Sequence, residues 1–464
     1  MKKSLGAALL AAVVSLSACQ HAPITPANMM CDFRTIKMSV GVPISRPADL
    51  QLRTPSPLAA EIETSLRSHD RLQSGETPRL LSLSGGSEHG AYGAGILAGW
   101  GGTGNLPEFQ VVTGISTGSI LATFAFVGDA EAAVQGYTIN SESDLINVYA
   151  KPKDGKPDLA NYASLLEHGS FGNLEPLRGR LHKFITDDVL ATVAARYAAG
   201  ARLYVGATDA DSGDAIAFDL GDMATRYVNA APDTERGLLK DCYISAIIAS
   251  SSSPIAAPPA FIDNTMYIDG GTRFGLFSDS VLEAFFRRQN GLTDAYAIEQ
   301  ARLEADGLEP IASLAPVVYA VIDGTLELPP RHCPKKDQSL CTPDKPFGGK
   351  DGAHKDWNIL DLALNTEHIL VNEVYRFSAL AVEADACEQA GCFNFLRIEP
   401  DVADFEYIYP APDTGVLMPA TCPEWQQIDI EIDDPIEFHK RYMRCLIAYG
   451  EAKVKAAGWG VAGQ

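Results

Sequence analysis

Val111 to Phe126 reads "VVTGISTGSILATFAF", and the apolar spacing changes period in the middle. Up to Gly114 the residues form a short apolar run, as a buried strand requires. Beyond it Ile120, Leu121, Phe124 and Phe126 recur as a buried helix demands. A strand that turns into a helix within a residue or two makes a sharp bend, and Gly114 and Gly118 leave room on either side of Ser116. That is the pattern of a nucleophile elbow, G-x-S-x-G. Just upstream, "PRLLSLSGG" is an apolar strand stopping in glycines, "GAYGAGILAGW" continues as a small-residue helix, and "FQVVTG" returns as a strand. Strand, helix, strand, helix predicts an α/β fold whose mainly parallel sheet is flanked by helices.

The rest of the chain divides around that unit. Residues 1–18 read as a leader and 19–77 as a proline-punctuated tether with one helix near Leu58 to Ser68. Residues 78–325 read as the α/β domain that carries the elbow, and 326–464 as a C-terminal α+β extension that packs on the core or completes it. Within the domain "LEPLRGRLHKFI" and "VLATVAARYAAG" look helical, and "ARLYVGATDADSGDAIAFDL" reads as two strands joined at "DADSGD". "CYISAIIASSSS" is a helix halted at Pro254, "FIDNTMYIDGG" a hairpin with Asp263-Asn264 at its tip, and "APVVYAVIDG" another buried strand. The extension offers a helix around Leu360 to Val382, a strand at "FNFLRIEP" and a last helix from about Ile436 to Ala456. The acids of "DADSGD" lack full EF-hand spacing, so they read as a solvated turn rather than a calcium loop.

A hydroxyl that attacks an acyl carbon must be exposed on a rigid turn, lose its proton to a base, and face donors that meet the developing oxyanion. Ser116 on its elbow offers the first. "SLSGGSEHGAYGAG" offers the donors: glycines let backbone N–H groups approach, and the helix that follows favours negative charge at its start. A phosphate cradle is the rival reading, but the loop lacks the G-x-x-x-x-G-K-[ST] pattern and its lysine. For the base, Asp269 in "MYIDGG" ends an apolar strand and precedes Gly270 and Gly271, which leave backbone space around its carboxylate. His89, His332, His354, His368 and His439 are the rival bases, none in a distinctive context.

Taken together, "LSLSGGSEHGAYGAGIL", "GISTGS" and "YIDGG" resemble the patatin-like phospholipase family in order and rough spacing. "LYVGATDADSG" and "ASSSSPIAAPPAFIDNTMYIDGG" add to the likeness, which covers roughly Arg79 to Phe277. The resemblance implies a three-layer α/β/α fold and a serine lipid acyl hydrolase of phospholipase A, lysophospholipase or esterase type. It implies Ser116 as nucleophile, Asp269 as the acid of a Ser-Asp dyad working without histidine, and Gly85, Gly86 and Ser87 as the oxyanion loop. No cofactor or metal is called for. An aspartate is a weak base at its usual pKa of about 3.9, and desolvation would make it a better one. Departures are Ser87 where a third glycine is usual, His89 where bacterial members often carry arginine, and "TRFGLF" after the DGG turn. If Ser87 needs positive φ, the cost is on the order of 1 kcal/mol. A Ser-His-Asp esterase and an inactive surface lipoprotein that binds lipid or a protein partner are the alternatives.

The opening "MKKSLGAALLAAVVSLSACQ" sets Lys2 and Lys3 before an apolar stretch too short to span a bilayer, ending at Cys19. It resembles a bacterial lipoprotein signal, with Cys19 lipidated after cleavage, rather than an ordinary secretory leader. Gln20 in place of aspartate points to an exported chain anchored at the outer membrane. Without Cys19 the remaining eight of nine cysteines suit disulfides. Cys333–Cys341 and Cys387–Cys392 are near enough to close small loops, while Cys31, Cys242, Cys422 and Cys445 admit three pairings. No C-x-x-C pair supports zinc. A formal charge of −22 disfavours nucleic acid and gives no electrostatic pull toward anionic headgroups, so membrane contact falls to the lipid anchor and apolar surface.

Overall fold

The computed structural model describes residues 28–38, 55–72, 76–149, 169–231, 234–277, 279–289, 294–308, 316–326, 359–385 and 393–459. Among these, nine strands make one sheet: β1 (Thr35–Lys37), β2 (Arg79–Leu83), β3 (Val111–Ile115), β4 (Arg202–Asp209), β5 (Ala215–Asp219), β6 (Ala260–Ile262), β7 (Thr265–Asp269), β8 (Val317–Ile322) and β9 (Phe393–Arg397). The strand order is β1-β5-β4-β3-β2-β8-β9. From β4 to β9 every neighbour is parallel. On the other side of β4, β5 and β1 run antiparallel in turn. The fold is a mainly parallel sheet between helices.

Thirteen described helices flank or follow it. They are α1 (Pro57–Leu72), α2 (Gly90–Gly101), α3 (Thr117–Val127), α4 (Ala130–Tyr137), α5 (Glu175–Phe184), α6 (Asp187–Ala198) and α7 (Leu220–Asn229). After them come α8 (Thr234–Ser250), α9 (Asp279–Gln289), α10 (Asp294–Ala305), α11 (Ile359–Asp385), α12 (Cys422–Ile432) and α13 (Lys440–Ala456). The parallel strands read as unbroken apolar runs because both faces are covered. Leu80, Val111, Ile115, Tyr204 and Val318 face Leu58, Ile62 and Leu66 of α1 and Val281 of α9. Leu81, Leu83, Val112, Leu203 and Val205 face the opposite layer, which includes α2, α3, α8 and α13.

The stretch read as a tether holds two pieces of this fold. The expected helix is α1, buried through Leu58, Ala59, Ile62 and Leu66. β1 adds an edge strand that the irregular sequence does not announce. It is only three residues long, with one inward side chain, so no alternation develops. Asp263 fastens its approach by accepting from the N–H groups of Cys31, Asp32 and Phe33 at 2.6–2.8 Å. Asp263 and Asn264 both take positive φ, as a two-residue hairpin tip prefers. Cys31 is bonded to Cys242 and Cys422 to Cys445, one of the three pairings left open. Cys19, Cys333–Cys341 and Cys387–Cys392 lie outside the described residues. The "DADSGD" acids form a turn in which Asp209 accepts from the Asp211 and Ser212 amides. Among the described residues no cluster of three or more His, Cys, Asp or Glu could hold a metal ion.

The C-terminal region completes the core. β9 extends the parallel sheet beyond β8. A separate hairpin of β10 (Glu406–Pro410) and β11 (Leu417–Thr421) leads into α12, and α13 lies across α2. Contact between those two helices is so close that a Cβ on Gly95 would sit 2.1 Å from the Ile447 carbonyl oxygen. α13 starts at Lys440 rather than near Ile436. The N–H groups of Ile436, Glu437 and Phe438 donate to the Glu142 carboxylate at 2.7–3.3 Å instead, which holds that segment out of the helix.

Candidate active site

Ser116 stands between the end of β3 and the start of α3 with φ 52 and ψ −124, a strained conformation for a residue with a side chain. Its neighbours show why glycine frames it. A Cβ on Gly114 would lie 2.3 Å from the Gly118 carbonyl oxygen, and one on Gly118 would lie 2.5 Å from the carbonyl oxygens of Leu83 and Ser84. The elbow is therefore pressed against the end of β2. Serines from the end of α8 secure it. The Ser116 N–H donates to Ser250 Oγ at 2.8 Å, and that hydroxyl donates to the Gly206 carbonyl at 2.5 Å. Ser119 Oγ and Ser251 Oγ donate to the Ser116 carbonyl at 2.5 and 3.2 Å.

The glycine loop follows β2 and passes beside the elbow. A Cβ on Gly86 would sit 1.8 Å from the Asp323 carbonyl oxygen, so only glycine fits there. Ser87, where a third glycine was expected, takes φ 52. It thus carries the positive-φ cost of about 1 kcal/mol. The loop is clamped to the segment before α13. The Ser87 hydroxyl donates to the Glu437 carboxylate. Buried Glu88 accepts from the His439 N–H at 2.9 Å, contacts the His439 ring Nδ1 at 2.9 Å, and accepts from Gln426 at 3.2 Å. Burial alone would lower the His439 pKa, but the hydrogen bond and charge of Glu88 outweigh it and raise the value.

Asp269 closes β7 and is buried. β7 pairs with the same edge of β4 that β3 occupies, just beyond the point where β3 stops. Ile115 faces Gly206 and Asp269 faces Ala207, so the two strands take consecutive register positions. The chain leaves the sheet at Ser116 where the other strand delivers Asp269. The Asp269 carboxylate accepts from the Gly271 N–H at 2.6 Å, and its own N–H donates to the Ser252 carbonyl at 2.9 Å. One run, Ser250 to Ser252, thereby ties both residues to α8.

Ser116, Asp269 and Ser87 line one cavity of about 80 Å3. Its apolar wall comes from Ile120, Leu145, Ile146, Leu174, Leu177 and Phe438, its polar end includes Glu437, and among the described residues no lysine or arginine lines it. Neither His89 nor His439 lines it. The His89 ring nitrogen lies 3.1 Å from the Gly86 carbonyl oxygen, while His439 is engaged by Glu88. His332 and His354 lie outside the described residues, as does the side chain of His368. Sequence reasoning missed Glu437, Phe438 and Glu88. Glu88 sits inside the quoted glycine loop, and its acidic character there was the available signal.

Residues 81–282 match the model of the patatin-like phospholipase family. The chain carries a patatin-like phospholipase domain. Among solved structures, the crystal structure of VipD from Legionella pneumophila is similar at 11% identity and a TM-score of 0.30, over 81% of this chain and 67% of that one. No curated protein matches the chain in sequence. The family is one of lipid acyl hydrolases, and the patatin-like domain here is a hydrolase domain of that general kind. Glu437, Phe438 and α11 lie outside the matched span.

Proposed function

We propose that the patatin-like domain cleaves lipid acyl esters through a Ser116–Asp269 dyad. The observation that carries this reading is the shared edge of β4, where Ser116 leaves the sheet one register position from Asp269 and both face one cavity. Asp269 takes the Ser116 hydroxyl proton as Oγ attacks the acyl carbon. The resulting oxyanion is met by amides of Gly85, Gly86 and Ser87. Collapse of the intermediate breaks the ester bond, and the leaving alcohol takes the proton back. Water then adds to the acyl-enzyme by the same steps in reverse order of roles, releasing the fatty acid and restoring the serine. The apolar wall from Ile120 to Phe438 receives the acyl chain. Cys19 carries the lipid that holds the exported protein at the outer membrane, next to its substrate.

The full chain should hydrolyse a short-chain nitrophenyl ester and a phospholipid, and a fluorophosphonate should label Ser116, identified by mass. No label at Ser116 on an active protein would sink the assignment.

A further inference from the structure

Helix α11 lies outside the matched span yet reaches the reaction centre. Ser378 Oγ accepts from the Gly275 N–H at 2.9 Å, which docks the helix on the turn that follows Asp269. One turn earlier along the same helix, Tyr375 is buried with 8% of its surface exposed. Its ring lies on Gly275, where an added Cβ would be 2.5 Å from Cδ1. Its hydroxyl goes further, into the space between the two glycine turns. A Cβ on Gly85 would lie 2.1 Å from that hydroxyl and 2.9 Å from the Ser116 Cβ. A Cβ on Gly271 would lie 2.7 Å from the same hydroxyl and 3.0 Å from Asp269 Oδ1. The phenol can therefore be no farther from the serine, or from the carboxylate, than each pair of legs laid end to end. The missing side chains of Gly85 and Gly271 are what make room for it.

We infer that Tyr375 is a positioning residue of the reaction centre, its phenol donating to the Asp269 carboxylate and fixing the face that the carboxylate turns to Ser116. This rests on the dyad reading above. A phenol is un-ionised over the working range of a carboxylate base, so it serves as a donor throughout. A hydrogen bond to the charged form of an acid lowers its pKa, and a charge-assisted bond is among the stronger ones. Tyr375 thus balances the desolvation that β7 imposes on Asp269 by burying it, keeping the carboxylate ionised while limiting its freedom to rotate.

The test is Tyr375→Phe in the full chain, assayed with a nitrophenyl ester across pH. Loss of the donor should lower kcat about tenfold with KM little changed, and should move the acid limb of the kcat/KM profile upward by about one pH unit. Ser378→Ala loosens the same helix without touching the phenol, and should lower the melting temperature while leaving the acid limb in place. An unchanged profile in Tyr375→Phe overturns the inference. So does a faster variant, which would make the tyrosine an obstruction, or an equal limb shift in Ser378→Ala, which would make helix docking the cause. A wild-type protein that hydrolyses the ester without label at Ser116 refutes the dyad, and Tyr375 loses its role with it.

Discussion

Residues 81–282 bring the groups of the proposed site together on turns, whereas residues 316–459 bring theirs on side chains projecting from helices and short loops. Ser116, Gly85, Gly86, Ser87 and Asp269 each sit where a strand ends and the backbone must bend or approach closely. Glu437, Phe438 and Tyr375 occupy no such position. A turn dictates residue type through sterics, so the first region writes itself as motif. A side chain arriving from a helix needs only the right direction, so the second region leaves no pattern.

That contrast can be broken by mutation. Changes in the first region should remove activity outright: Ser116→Ala and Asp269→Asn should each lower kcat by on the order of 10³ or more with little change in melting temperature. If either variant retained even a tenth of the ester hydrolysis rate, the turn-borne groups would not be the reacting ones.

Changes in the second region should be graded. Glu88→Gln weakens the clamp between the glycine loop and His439, and should lower kcat about tenfold, less than losing an oxyanion donor itself. It also removes a pH dependence. The His439 pKa is raised in the fold, so its stabilisation is complete below the unfolded value of about 6.5 and is lost as pH rises through the folded value. The melting temperature of the wild-type protein should fall across that window and that of the Gln variant should stay flatter. Equal slopes would mean the pair does not hold the loop.

Glu437→Gln keeps an acceptor for Ser87 but removes the charge. With the Glu437 carboxylate at the polar end of the cavity and, among the described residues, no lysine or arginine lining it, the wild-type protein should disfavour anionic headgroups. The variant should raise hydrolysis of phosphatidylglycerol relative to phosphatidylcholine roughly fivefold, about 1 kcal/mol. An unaltered ratio would place headgroup choice elsewhere.

The smallest effect concerns Asp323, which follows β8 beneath the glycine loop. It is fully buried, and its Oδ1 accepts from the Gly93 N–H at 2.9 Å. Burial pushes its pKa well up despite that bond. The native state therefore holds this proton more tightly than the unfolded chain, and stability falls as pH rises from about 3.9 toward the folded value. Asp323→Asn should remove that slope and stabilise the protein near neutrality by on the order of 1 kcal/mol, with ester hydrolysis intact. Thermal melts at pH 4 and pH 7 decide it; a less stable variant at pH 7 would show the acid to be ionised and useful.

The parallel sheet, the elbow and the glycine loop were legible because backbone geometry forces residue type: apolar runs where both faces are covered, glycine where a Cβ has no room. The positive φ of Ser87 was foreseen as a cost, and the loop's clamp to Glu437 shows how the fold offsets it. β1 was invisible because a three-residue edge strand carries too little alternation to register. The late start of α13 was equally hidden, since it depends on Glu142, nearly three hundred positions away, outcompeting the helix for three amides. Sequence alone settled which backbone turns this chain must make and which residue types stand on them. Which distant side chains converge on those turns was decided only by the packing of α11 and α13, because direction and distance in space leave no period along the chain.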